Sequence, residues 1–256
     1  MAGPYGVLRR GYHLQSKAKA VANGTLDPYE GQAILLGEPK RPAVVYLPIP
    51  KAANTSIRTA LKPCFGLEDE AIRNIHRDPR MVLTGIPVAL DRAPSDALVF
   101  TVVRHPAERI RSAYRNKMGW FDRKRPLGLK PRFGNARRLG IPRGADFETF
   151  LSILAQSPTW AVDGHFKPQV DLLHHALRDS RLEIFKSETI NQHWGGLATR
   201  IATHIPVGPE TELDTLNAST PVSAPYSDAE RRLIDLLFGA DFEQFGYTWD
   251  DLRAGP

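Results

Sequence analysis

The sequence predicts an α/β fold in which a parallel sheet carries helices on both faces, and three observations carry that expectation. Residues 43–49 (AVVYLPI) and 97–103 (ALVFTVV) are unbroken apolar runs rich in β-branched side chains, as strands buried on both faces require. Each run is followed within a few residues by a segment of helical character, 54–61 and 107–117. Hydrophobic residues fill 42% of the 256 positions, enough for one sizeable core and too many for wholesale disorder. A single α/β domain over residues 1–256 is therefore expected.

The elements follow in order. Residues 1–40 are mixed and polar, without a repeat, and are expected to form a loose lead-in. The strand at 43–49 is bounded by prolines. The next helix starts near Ala53 or Asn54 and closes at Pro63, which cannot continue it. Cys64 behind that proline reads as a small buried residue. A further helix is expected over 68–75. The strand at 97–103 is the clearest central one, and Pro106 suits the first turn of the helix after it. Residues 118–145 are rich in Gly, Pro, Arg and Lys and read as a mobile basic loop. Beyond them come a helix over 147–155 capped by Asp146, a helix over 169–176, and a strand over 182–185. Amphipathic helices over 197–202 and 228–238 complete the pattern. Ligands of such sheets bind at the carboxyl ends of the strands.

The formal net charge is +6, and it is unevenly placed. Between Arg109 and Arg143 there are twelve Lys or Arg and one acid, Asp122. That asymmetry implies an anionic partner and does not by itself choose one. No run approaches the ~20 apolar residues of a membrane span, so no transmembrane segment is expected. One cysteine precludes an internal disulfide and a cysteine-rich zinc site, and points to a reducing, cytoplasmic compartment.

The chemistry lies in two strand–loop–helix segments. The first is residues 50–56, PKAANTS. Small residues let the backbone curl, and the helix that follows begins with N–H groups at its positive end, which together make an anion site. Lys51 adds a point charge, and Thr55 and Ser56 add hydroxyl donors. It is not a Walker A loop, because G-x-x-x-x-G-K-[ST] is absent. The second segment places Arg104 at a strand end and Ser112 two turns into the next helix. Two anion sites, each after a strand, suit a ligand phosphorylated at two positions.

These segments resemble those of a known family. Residues 49–56 (IPKAANTS) are similar to the 5′-phosphosulfate loop of sulfotransferases that use 3′-phosphoadenosine-5′-phosphosulfate (PAPS). Residues 102–117 (VVRHPAERIRSAYRNK) resemble their 3′-phosphate segment, in the form closest to carbohydrate sulfotransferases of the chondroitin, dermatan and HNK-1 type. Residues 163–169 (DGHFKPQ) and 241–247 (DFEQFGY) are similar to further segments of that group. The resemblance spans roughly residues 43–248. It implies a P-loop-like three-layer fold with a central parallel sheet. It also implies that Lys51 contacts the phosphosulfate, that Thr55 and Ser56 with N–H groups from Ala53 onward (Ala52 and Asn54 completing the loop) hold the 5′-phosphate, and that Arg104 and Ser112 hold the 3′-phosphate. PAPS would be the co-substrate, with no metal. The acceptor would be a hydroxyl on a glycan, a glycolipid or a related molecule, and neither nucleic acid nor a membrane span is implied. The relatives resembled are Golgi-anchored and disulfide-bearing, so a chain with no anchor and one cysteine suggests a bacterial member.

A general base must take the acceptor proton. His76 and His165 are the candidates, the first lying after the phosphate helix and the second inside DGHFKPQ. His105 is expected to cap a helix or flank a phosphate, and His174 and His175 to lie on a helix surface. Glu108 is expected to pair with Arg111 or Arg115. Trp120, Phe121 and the turn at 217–220 are weaker candidates for ligand contacts. Two rival readings are a nucleotide-dependent kinase and a non-catalytic binder of acidic glycan or nucleic acid through 109–143.

Overall fold

A computed structural model of the chain describes residues 31–67, 75–78, 80–81, 83–122, 134–214 and 225–252. The chain divides into two compact units. The first comprises Glu30–His105, Gln169–Thr220 and Tyr247–Pro256, and the second Met1–Tyr29, Pro106–Pro168 and Pro221–Gly246.

The first unit holds the sheet. Its strands are β1 (Gln32–Glu38), β2 (Arg41–Leu47), β3 (Leu83–Gly85), β4 (Leu98–Val103) and β5 (Leu182–Lys186), in the order β3-β1-β2-β4-β5. β4 runs parallel to both β2 and β5, as the two apolar runs predict. The central strands are parallel as expected, and on the other side of the sheet β1 pairs antiparallel with β2 and with β3. Part of the expected lead-in is therefore a strand. Ala33, Ile34 and Leu36 of β1 are buried, and only the two residues Pro39 and Lys40 separate β1 from β2. So short a connection permits only antiparallel pairing. Gly31, just before β1, has no substitute, because a methyl group there would lie 1.9 Å from the Leu172 carbonyl oxygen.

Alternation along the strands gives the sheet two apolar faces. Ile34, Leu36, Val44, Tyr46, Leu98, Phe100 and Val102 share one cluster with Ile57, Ala60 and Leu61 of α1 (Asn54–Ala60) and its C-terminal cap. Trp194, Leu197, Ala198 and Ile201 of α7 (Ile190–His204) join the same cluster. Tyr46 stacks on Phe100 with ring centroids 4.9 Å apart. Each fully buried side chain of this size contributes about 1.5–3 kcal/mol. On the other face β1 and β2 pack against α2 (Ile86–Arg92), which buries Ile86 and Ala89. Helix α6 (Gln169–Leu173) completes the unit. Cys64 is half-exposed in a 3₁₀ turn, Pro63–Phe65, and not buried as its apolar neighbours suggest. The helix expected over 68–75 lies largely outside the described residues, and Ile75 opens a 3₁₀ turn, Ile75–Arg77.

The second unit is helical: α3 (Pro106–Asp122), α4 (Gly134–Leu139), α5 (Phe147–Ala155) and α8 (Asp228–Phe245). Both ends of the expected basic loop are thus helical at 118–122 and 134–139, and residues 123–133 lie outside the described ones. Arg109 is fully buried and donates to the carbonyls of His165 and Lys167, which spends its charge on holding residues 165–167 in place. Helix α5 starts as expected, with the Asp146 carboxylate accepting the Thr149 N–H at 2.8 Å.

Helix α8 begins with a reciprocal cap. The Ser227 hydroxyl accepts the Glu230 N–H at 3.1 Å, and the Glu230 carboxylate accepts the Ser227 N–H at 2.9 Å. Gly246, at φ 58°, ends the helix in the left-handed conformation that a glycine adopts without strain. Ser227→Ala removes one side of the cap and is expected to lower stability by about 1 kcal/mol, read from urea unfolding.

Candidate active site

The loop between β2 and α1 departs from ordinary backbone geometry at two residues that are not glycine. Lys51 has φ 70° and Ala53 φ 53°, both left-handed. Side-chain-bearing residues held there carry about 1–3 kcal/mol of strain each, which sites retain when the loop shape is useful. The turn is closed by the Ala52 N–H donating to the Ile49 carbonyl at 3.3 Å, with Ala52 fully buried. Ala53 then stands as the N-cap of α1 and supplies no side-chain cap. Backbone N–H groups at a helix start have no intrahelical acceptor, and the first turn of α1 receives none from the side chain of its cap.

The Asn54 side chain ties α1 to β2. Its side-chain oxygen accepts from Arg58 Nε at 3.0 Å and from the Tyr46 hydroxyl at 3.5 Å. Arg58 is 3% exposed, and its Nη1 is buried with no hydrogen-bond partner among the described residues. Burial pulls the Arg58 guanidinium below its ordinary range, partly offset by Tyr46, and burial pushes the Tyr46 hydroxyl up. Sequence reading missed Arg58, because an arginine in a helix normally reads as a solvated one. Ser56 is buried on the same helix, and Thr55 is half-buried.

His76 stands beside this loop. Its Nε2 lies 3.0 Å from the Thr55 hydroxyl, although 21 residues separate the two. His76 itself is exposed.

Arg104 leaves the end of β4, half-buried, and its Nη1 donates to the Lys51 carbonyl at 3.4 Å. The two cationic strand ends therefore touch. The Arg104 backbone is fixed by Gln169, whose Oε1 accepts the Arg104 N–H and whose Nε2 donates to the Arg104 carbonyl, each at 2.9 Å. The next residue, His105, has its ring engaged inside the fold. It is 2% exposed, with Nε2 2.9 Å from the Thr248 carbonyl and its ring against Tyr247 and Trp249. Glu188 accepts the His105 N–H at 2.8 Å and the Tyr247 hydroxyl at 2.9 Å. Burial, reinforced by the Glu188 charge, pushes the Tyr247 hydroxyl far above its usual range, so it remains a donor.

Ser112 and His165 belong to the second unit. Ser112 is buried on α3. The Nδ1 atom of His165 is 2.6 Å from Asp163 Oδ1, and the same oxygen accepts the His165 N–H at 3.0 Å. Burial pushes the Asp163 carboxyl up, but the hydrogen bonds and charge of His165, with Lys117, outweigh it and hold the carboxyl below its usual range. Burial pulls the Lys117 amine down, opposed by Asp163. Glu108 has a partner beyond its own helix. It accepts the Tyr226 hydroxyl at 2.8 Å, while Arg111 meets Glu230 at 3.7 Å and lies over the Tyr226 ring. Residues 217–220 and the side chains of Trp120 and Phe121 fall outside the described set. Among the described residues no group of three His, Cys, Asp or Glu is placed to hold a metal, and no helix is long and apolar enough to cross a membrane.

A family model described as the sulfotransferase family matches residues 39–248. The chain belongs to the sulfotransferase family. No curated protein and no solved structure matches it. A sulfotransferase is a transferase that moves a sulfuryl group. The family's span runs from the hairpin before β2 to Thr248, the residue whose carbonyl meets His105. It therefore takes in the Lys51 loop, His76, Arg104 and Gln169 of this sulfotransferase.

Proposed function

We propose that this sulfotransferase takes its sulfuryl group from PAPS and places it on a hydroxyl of a carbohydrate or related acceptor. The observation that supports the reading is the contact between Arg104 Nη1 and the Lys51 carbonyl, which brings the Arg104 side chain against the Lys51 loop, two elements each suited to an anion. A donor bearing phosphate at both its 3′ and 5′ positions is the ligand such a surface suits. The carbohydrate class rests on the resemblance of residues 102–117 and 163–169 to the carbohydrate enzymes.

The residues divide the work as follows. The N–H groups of Ala53 to Ser56 and the Thr55 and Ser56 hydroxyls hold the 5′-phosphate, within a loop shaped by Ala52 and Asn54. Arg104 holds the 3′-phosphate. The acceptor oxygen attacks sulfur in line, the bond from sulfur to the bridging oxygen breaks, and Lys51 stabilises the negative charge left on that oxygen. His76 takes the acceptor proton. The single proton of the Thr55 hydroxyl goes to phosphate, so its lone pairs accept the Nε2–H of His76. The basic lone pair of the imidazole is then on Nδ1.

Two measurements test the reading together. Adenosine 3′,5′-bisphosphate is expected to bind saturably without Mg²⁺, with ATP failing to compete. Incubation with ³⁵S-labelled PAPS and a panel of hydroxylated glycans is expected to transfer label to at least one of them. Binding that requires Mg²⁺ and yields to ATP would replace this reading with phosphoryl transfer.

A further inference from the structure

We infer that Gln169 is a positioning residue for the 3′-phosphate, acting through the backbone of Arg104; the inference rests on the reading of Arg104 given above. Its side-chain amide meets both the N–H and the C=O of Arg104, at 2.9 Å each, as a neighbouring strand would. Arg104 lies one residue beyond β4, where the ladder to β5 has just ended at the Val103–Lys186 pair. A residue there would ordinarily be free to rotate about φ and ψ. Gln169 extends the sheet's hold by one residue with a side chain in place of a strand. Gln169 is itself fully buried, so water does not compete for its amide.

The hold has a direction. With the Arg104 N–H and C=O both engaged, the Cα–Cβ vector is fixed, and the guanidinium reaches the Lys51 carbonyl at 3.4 Å. An unclamped Arg104 would sweep its guanidinium over a wider range and lose part of its bidentate match to a phosphate. Glutamine suits the task because it is the side chain that both donates and accepts with enough reach. Asparagine is one methylene shorter, and glutamate has no donor. Gln169 is also the first residue of α6, so its backbone is anchored in a helix.

The test compares two nucleotides on the intact chain. Adenosine 3′,5′-bisphosphate carries the phosphate that Arg104 reads, and adenosine 5′-monophosphate lacks it. Their affinity ratio is measured by calorimetry for the native protein, Gln169→Asn and Gln169→Glu, with thermal melting of each. Both variants keep a polar side chain, and Gln169→Glu keeps the length and the acceptor for the Arg104 N–H. The ratio is expected to fall at least about fivefold in each, while affinity for the monophosphate stays within about twofold. An unchanged ratio in a variant that melts cooperatively would overturn the inference. Equal losses for both nucleotides would also overturn it, because general loosening of the fold weakens both alike. A native protein with no preference for the 3′-phosphorylated nucleotide would instead sink the reading of Arg104.

Discussion

Lys51→Ala is expected to reduce sulfuryl transfer from PAPS by about 10²–10³-fold while leaving thermal stability within about 0.5 kcal/mol of native. The size follows from what Lys51 is proposed to do. Removing one preorganised donor to a developing oxyanion costs about 3–4 kcal/mol of barrier, and each 1.4 kcal/mol is tenfold in rate. The small effect on stability follows from the backbone. Lys51 sits at φ 70°, and alanine meets the same left-handed penalty, so the substitution adds no strain. The Lys51 carbonyl that Arg104 touches is also kept, because it belongs to the main chain. Single-turnover kinetics with labelled PAPS, alongside melting curves, check both halves. A variant that retains native turnover would remove Lys51 from the chemistry.

The second large effect is expected from His76→Asn, which should lower kcat by about 10²–10⁴-fold with little change in affinity for adenosine 3′,5′-bisphosphate. Only the neutral imidazole accepts a proton. The native rate is therefore expected to fall as pH drops through the imidazole range, and that acid limb should disappear in the variant. Because His76 is exposed, its replacement should change folding by no more than about 0.5 kcal/mol. His165→Asn is the informative companion. His165 is oriented by Asp163 at 2.6 Å, the geometry of a positioned base, and it stands in the second unit. If His165→Asn abolishes turnover and the acid limb while His76→Asn leaves both intact, the proton acceptor is His165.

The parts legible in the sequence were those that depend on neighbours along the chain. The runs at 43–49 and 97–103 became β2 and β4 within two residues at each end, because a strand buried on both faces leaves no polar interruption to confuse its limits. Asp146 capped α5 as a short polar residue before an apolar helix should. The antiparallel strands were harder. β3 is three residues long, and the apolar stretch of β1 is hemmed in by Gly31, Gly37 and Pro39, which read as loop. The loop sequence PKAANTS suggested an anion site and gave no hint of its conformation, since Lys51 and Ala53 are residues that ordinarily avoid positive φ. The Gln169 clamp and the Thr55–His76 contact join residues 65 and 21 apart, and no local pattern encodes such pairings.

With the proposed donor seated on this loop, the left-handed Lys51 and Ala53 would bear on how quickly it is captured. Glycines at these positions would relieve the strain and at the same time let the loop wander among several shapes. With lysine and alanine there, the buried Ala52 and the turn bond to Ile49 hold a single shape, and the deformation is settled during folding. A nucleotide arriving at such a loop meets donors already in place, so encounter need not wait on any rearrangement of the main chain.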